Sequence, residues 1–158
     1  MIAVLALVLS LSAPSCLAPP VAGPITRPYR APACAYCVGH RGVEYATVPG
    51  TPVRAVQAGS VTFAGQVAGT IYVVVAQPDG LTATYGYLLA ADVHRGSVVV
   101  AGQVVGRSST RLYFGWRRGD VPVDPTPWLA RSHVSPRLVP ADGSRPRPVA
   151  GRMECRAG

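Results

Sequence analysis

The chain has no lysine and no asparagine, only three histidines, seven acidic residues and two phenylalanines, and no run of apolar residues at helical spacing over several turns. Without long amphipathic stretches, helical bundles and βαβ architectures are excluded. With so few histidines and carboxylates, any metal or acid–base centre must come from a short list of positions. All fifteen basic residues are arginine, a bias that GC-rich coding accounts for better than chemistry. The net charge of +8 invites a nucleic-acid reading, but six of those arginines fall in the last 28 residues, and no aromatic-interleaved basic patch or recognition helix accompanies them. Nucleic acid is therefore not an expected partner.

What is present is 49% hydrophobic residues over 158 positions, enough for one domain with a real core. The opening MIAVLALVLSLSA is apolar, too short to span a bilayer comfortably, and followed by small residues, which is the form of an export signal. We place that leader at residues 1–18, although it has no basic start; lipid attachment at Cys16 is the alternative, with a poor recognition sequence (APS) before the cysteine. No stable membrane span is expected once the leader is removed. The Pro- and Arg-rich segment 131–158 lacks periodic apolar residues and reads as an unstructured tail. The domain itself is expected over 19–130. Cys34 and Cys37 suit a loop-stapling disulfide in an exported protein, because a redox CxxC should open a helix in a βαβ setting and zinc would need a second ligand pair.

The 17 glycines and 16 prolines punctuate short apolar segments. VEYATV, PVRAVQ, SVTFAG, TIYVVVAQ, LTATYGYL, SVVV, QVVGRS and TRLYFGWR read as strands separated by PGT, AGS, PDG, HRG and AG turns, after a short extended piece near Ile25 to Tyr29. The fold class is all-β, a small antiparallel sandwich or barrel-like domain. TIYVVVA is expected to be buried on both faces, and Trp128 in DPTPWL to close the core where prolines end the ladder.

HRGVEYA, residues 40–46, holds the chemistry. On an extended chain His40 and Glu44 project from one face, with Gly42 between them leaving room for an ion. Imidazole nitrogen and carboxylate oxygen are both zinc ligands, but a catalytic zinc takes three protein ligands and a water. The plain alternative is a surface histidine beside a rim carboxylate.

The segment from Pro24 to Leu129 resembles the lysostaphin-like, LytM-domain zinc metalloendopeptidases. PITRPY, GHRGVEYATVPGTPVRAVQAGSVTFAG, GLTATYGYL, GQVVG and RLYFGWRRGDVPVDPTPWL occur in the family's order, and the second stretch is similar to its GxHxGxDxxxxxGTPVxAxxxGxVxxAG pattern. The resemblance implies a small antiparallel β-fold with a groove along one sheet, zinc as cofactor, and peptidoglycan crosslinks as substrate. It also implies roles. The first zinc ligand falls on His40 and the second, an aspartate in the family, on Glu44. The third ligand falls on Tyr113, while the two catalytic histidines fall on Arg111 and Tyr87. Three of five positions have lost their imidazole, which leaves weak metal affinity and no general acid or base.

Tyr85, Tyr87 and Tyr113 are expected to line one face of the sheet beside Arg111, either as ordinary strand aromatics or as a floor that contacts substrate. The expectation is an exported cell-wall protein of this family with a degenerate site, which binds peptidoglycan or regulates a wall hydrolase. Its rival is an active zinc endopeptidase that uses His40, Glu44 and a Tyr113 phenolate or a ligand borrowed from His94 or His133. A redox or metal-buffering role for Cys34, Cys37 and His40 ranks last.

Overall fold

The structure, a computed structural model, describes residues 16–34, 36–133 and 152–154. Most of the expected leader and tail, and Cys155, lie outside them.

Among the described residues every element is a strand: β1 (Ile25–Arg27), β2 (Val43–Ala46), β3 (Pro52–Arg54), β4 (Gly59–Val67), β5 (Thr70–Ala76), β6 (Leu81–Ala91), β7 (Val98–Val99), β8 (Val104–Arg118), β9 (Val121–Val123), β10 (Arg131–His133) and β11 (Arg152–Glu154). Nine of them form one antiparallel sheet in the order β1-β2-β8-β6-β5-β4-β7, with β3 and β9 also paired to β8, and β10 pairs with β11. Val43 of β2 and Val99 of β7, from opposite ends of that order, share one buried cluster, so the sheet rolls around its core. The two stretches QVVGRS and TRLYFGWR join into the single 15-residue β8, the spine on which β2, β3, β6 and β9 all register.

Alternation along these strands sets two faces. Val73, Val75, Ala83, Tyr85, Leu112, Phe114 and Trp116 point into the core. TIYVVVA departs from expectation here: Val73 and Val75 are buried, but Tyr72, Val74 and Ala76 are only half-buried, because β5 has core on one side and an open face on the other. Trp116, 2% exposed, fills the position expected of Trp128, which lies at the core's edge with 51% exposure and its ring 6.1 Å from Trp116. Leu129 is buried, and Leu17 pairs with it by backbone hydrogen bonds to Trp128 and Ala130. Cys16 is disulfide-bonded.

Candidate functional site

The open face of β2 and β8 carries the site. His40 and Arg30 pair as an isolated bridge, N–H to carbonyl in both directions, closing the loop between them. Cys34 and Cys37 are joined by a disulfide within that loop, and Arg41 donates from its guanidinium to the Cys37 carbonyl at 3.3 Å. Strand structure begins only at Val43, yet His40 and Glu44 still meet, Nε2 to Oε1 at 3.2 Å, both nearly buried. On its other side the imidazole Nδ1–H donates to the Pro28 carbonyl at 2.8 Å. That tether fixes the ring and directs Nε2 inward, as second partners of metal-bound histidines do.

Glu44 is not free for a cation. Arg27, its ladder partner on β1, reaches Oε1 with Nη1 at 3.3 Å, and Arg111 of β8 approaches Oε2 at 3.7 Å. Two guanidinium charges therefore surround one carboxylate, with the His40 imidazole as a third neighbour. The Arg111 guanidinium in turn lies over the Tyr87 ring, 3.9 Å from its centre.

Tyr87 reaches that position through a bulge. Gly86 pairs with Tyr113 and Leu88 with Ser108, so Tyr87 between them is left out of the ladder, and it holds φ = 60°. A left-handed backbone is costly for a residue with a Cβ, and such strain concentrates at functional sites. The bulge also breaks the expected single tyrosine face. Tyr85 is fully buried on the core side, tilted against Phe114, and its hydroxyl accepts the Val56 backbone N–H at 2.9 Å. It is not on the open face. The third tyrosine there is Tyr72, whose ring lies against Gly86; sequence reasoning missed it because TIYVVVA reads as uniformly apolar.

Tyr113 stands opposite Glu44 in the ladder. Its ring lies across the strands: a Cβ on Gly42 would meet ring atoms at 2.8 Å, and one on Gly115 would meet the hydroxyl at 2.6 Å. The space at Gly42, expected to admit an ion, therefore admits an aromatic ring. Burial raises the Tyr113 pKa, partly offset by the Arg41 charge, with Tyr72, Glu44 and Tyr87 raising it further. The phenol thus stays protonated at neutral pH. Beside the ring runs an open groove of about 220 Å³ lined by Arg41, Thr84, Tyr113, Gly115, Arg117 and Asp120, among others.

The residues do not fit a zinc ion. Among the described residues no three His, Cys, Asp or Glu side chains converge. Tyr113 and Arg111 occupy the ligand and acid–base positions implied by the resemblance, and the carboxylate is already compensated by arginine. His94 is exposed in its own turn, bonded to Ser97 and the Arg95 carbonyl.

An all-β domain with this groove, reached through HRGVEYA and RLYF, defines a class, and sequence comparison agrees with it. Residues 38–125 match the model of Peptidase family M23. The chain belongs to that family. It is 36% identical over 99 residues to the murein hydrolase activator EnvC of Escherichia coli, a match that covers 58% of this chain and 24% of EnvC. Among solved structures, Helicobacter pylori Csd3 superposes with a TM-score of 0.63 at 25% identity, covering 80% of this chain and 38% of Csd3. A zinc-containing peptidase from Vibrio cholerae gives 0.60 at 25% identity, covering 70% and 39%. The chain spans about a quarter to a third of the length of the curated relatives it matches.

Proposed function

We propose that this protein is an exported, cell-envelope member of the M23 family whose zinc site has been rebuilt into a non-hydrolytic one, and that it binds peptidoglycan peptides in the groove, alone or while regulating a wall hydrolase. One observation carries the reading: Glu44, at the second ligand position, sits between Arg27 and Arg111 and against His40. A carboxylate between two guanidiniums has its charge compensated, with one oxygen accepting from Arg27 and Arg111 near the other, and the same guanidiniums repel a divalent cation. Without imidazoles at Tyr87, Arg111 and Tyr113, no described side chain at the site remains to make a third metal bond or to move a proton at the scissile amide.

Binding has its own supports. Tyr72, Tyr87 and Tyr113 give flat amphipathic area on the open face, and the groove beside Tyr113 suits an extended peptide. Similarity to a murein hydrolase activator favours regulation of a partner enzyme. The Cys34–Cys37 disulfide favours an oxidising compartment and hence an export leader, which we end before the disulfide-bonded Cys16 rather than at residue 18, ahead of the domain that runs to 130 and a basic tail at 131–158. Among the described residues no helix is long and apolar enough to cross a membrane.

The test is incubation of the full exported chain with purified peptidoglycan, with and without chelator. The reading expects co-sedimentation in both conditions and no new amine termini in either. Chelator-sensitive release of amines would establish the active endopeptidase instead.

A further inference from the structure

The clamp around Glu44 has more positive charge than it needs. Arg27 and Arg111 bring two charges to one carboxylate, leaving an excess of one even with His40 neutral. Each guanidinium gives Glu44 a single nitrogen, Nη1, while its side chain remains 58% (Arg27) and 52% (Arg111) exposed. More than half of each side chain is therefore open to solvent.

Both forks also have neighbours that orient them. Glu44 lies between them, with the His40 Nε2 3.2 Å from its Oε1 and the imidazole tethered to the Pro28 carbonyl. The Tyr87 ring packs against the Arg111 guanidinium in a backbone conformation that costs energy, opposite the bulge where β8 carries four residues between its pairs with Gly86 and Leu88. Pre-organised guanidinium forks recognise planar, two-oxygen anions, and a carboxylate fits them with two parallel N–H···O bonds. In the groove beside Tyr113, Arg41 and Arg117 outnumber Asp120.

We propose that the former metal position is an anion receptor: Arg27 and Arg111, splayed by Glu44 and propped by Tyr87, take the free C-terminal carboxylate of a wall peptide whose chain lies along Tyr113 in the groove. This rests on the non-hydrolytic reading above and specifies its ligand. Glu44, His40 and Tyr87 are positioning residues, and Arg27 and Arg111 make the contact. A peptide crosslinked through its C-terminus has no free carboxylate, so the receptor would select uncrosslinked ends.

The test is calorimetric titration of the full chain with N-acetyl-D-alanyl-D-alanine, its C-terminal amide, and the L,L acid, with zinc content measured on the same samples. The D,D acid should bind with an affinity that falls as salt rises, and the amide should bind about tenfold or more weakly, as expected when charge-assisted bonds to both forks are lost. Arg27→Ala and Arg111→Ala should each remove the preference for acid over amide, whereas Arg95→Ala, in an exposed turn, should keep it. Tyr87→Leu should weaken acid binding severalfold and leave the amide unchanged, an effect that lost packing alone would not produce. Equal binding of acid and amide, or no binding of either, in zinc-free protein overturns this inference and leaves the non-hydrolytic reading standing. Preference for the L,L acid overturns the wall peptide as the ligand. Stoichiometric zinc overturns the non-hydrolytic reading, and with it this one.

Discussion

Tyr113 faces Glu44 across the β2–β8 ladder, yet its ring lies over Gly42 and Gly115, two residues along the chain from Glu44 and from Tyr113 itself. In the metal-binding arrangement implied by the family resemblance, that position would complete the coordination of His40 and Glu44. Here it fills the ion's space with a ring, and the carboxylate turns to Arg27 and Arg111 instead.

Rebuilding the ligand set should therefore restore metal affinity. The combined variant Glu44→Asp, Arg111→His and Tyr113→His supplies three zinc-competent side chains, with His40 already oriented by Pro28. We expect about one zinc per chain after loading and desalting, measured by atomic emission. Tyr113→His alone, with Arg111 still at the carboxylate, should retain less.

Gly42 tolerates no side chain. A Cβ there would meet the Phe114 carbonyl oxygen at 2.5 Å as well as the Tyr113 ring at 2.8 Å. The ring has room to move, but the ladder carbonyl does not. Gly42→Ala should cost about 1–3 kcal/mol in denaturant unfolding, the range for overpacking. Gly96→Ala would meet nothing within 4 Å, so any loss there reflects only its positive φ of 89°.

Tyr85 is structural. Its hydroxyl accepts the buried Val56 N–H, so Tyr85→Phe leaves that donor unpaired and should cost about 1–3 kcal/mol by chemical denaturation, with peptidoglycan co-sedimentation unchanged. Loss of co-sedimentation by a folded variant would return Tyr85 to the binding floor.

How much of this was legible beforehand varies with the physics involved. Period-two alternation and Gly/Pro punctuation gave the strands, and the HRGVEYA spacing brought His40 to Glu44. The bulge at Tyr87 was not legible, because nothing in LTATYGYL marks the slip that sends Tyr85 into the core and leaves Tyr87 beside Arg111. Arg27 was missed as well. Its contact with Glu44 is set by β1–β2 register across 17 positions, which no local pattern encodes. Trp116 takes the core-closing place expected of Trp128 because β8 continues unbroken through RLYFGWRR and carries Trp116 inward.

Alkaline pH should destabilise the fold through its buried phenols. Burial raises the pKa of both Tyr45 and Tyr85 far above the ordinary value of 10.0. A raised folded-state pKa gives stability that is complete below the unfolded value and declines as pH climbs above it, because the unfolded chain ionises first. Unfolding free energy should be flat from neutrality to near pH 10 with respect to these groups and fall beyond it. Tyr45→Phe should reduce that slope by up to one proton, about 1.4 kcal/mol per pH unit, in urea titrations at successive pH values.

The central claim is that the site no longer holds zinc, and metal content tests it most directly. The full chain, purified without added metal and again after zinc loading and desalting, should contain far less than one zinc per folded molecule. About one zinc per chain, retained through desalting and removed by chelator, would contradict the account and return Tyr113 or another side chain to the role of third ligand.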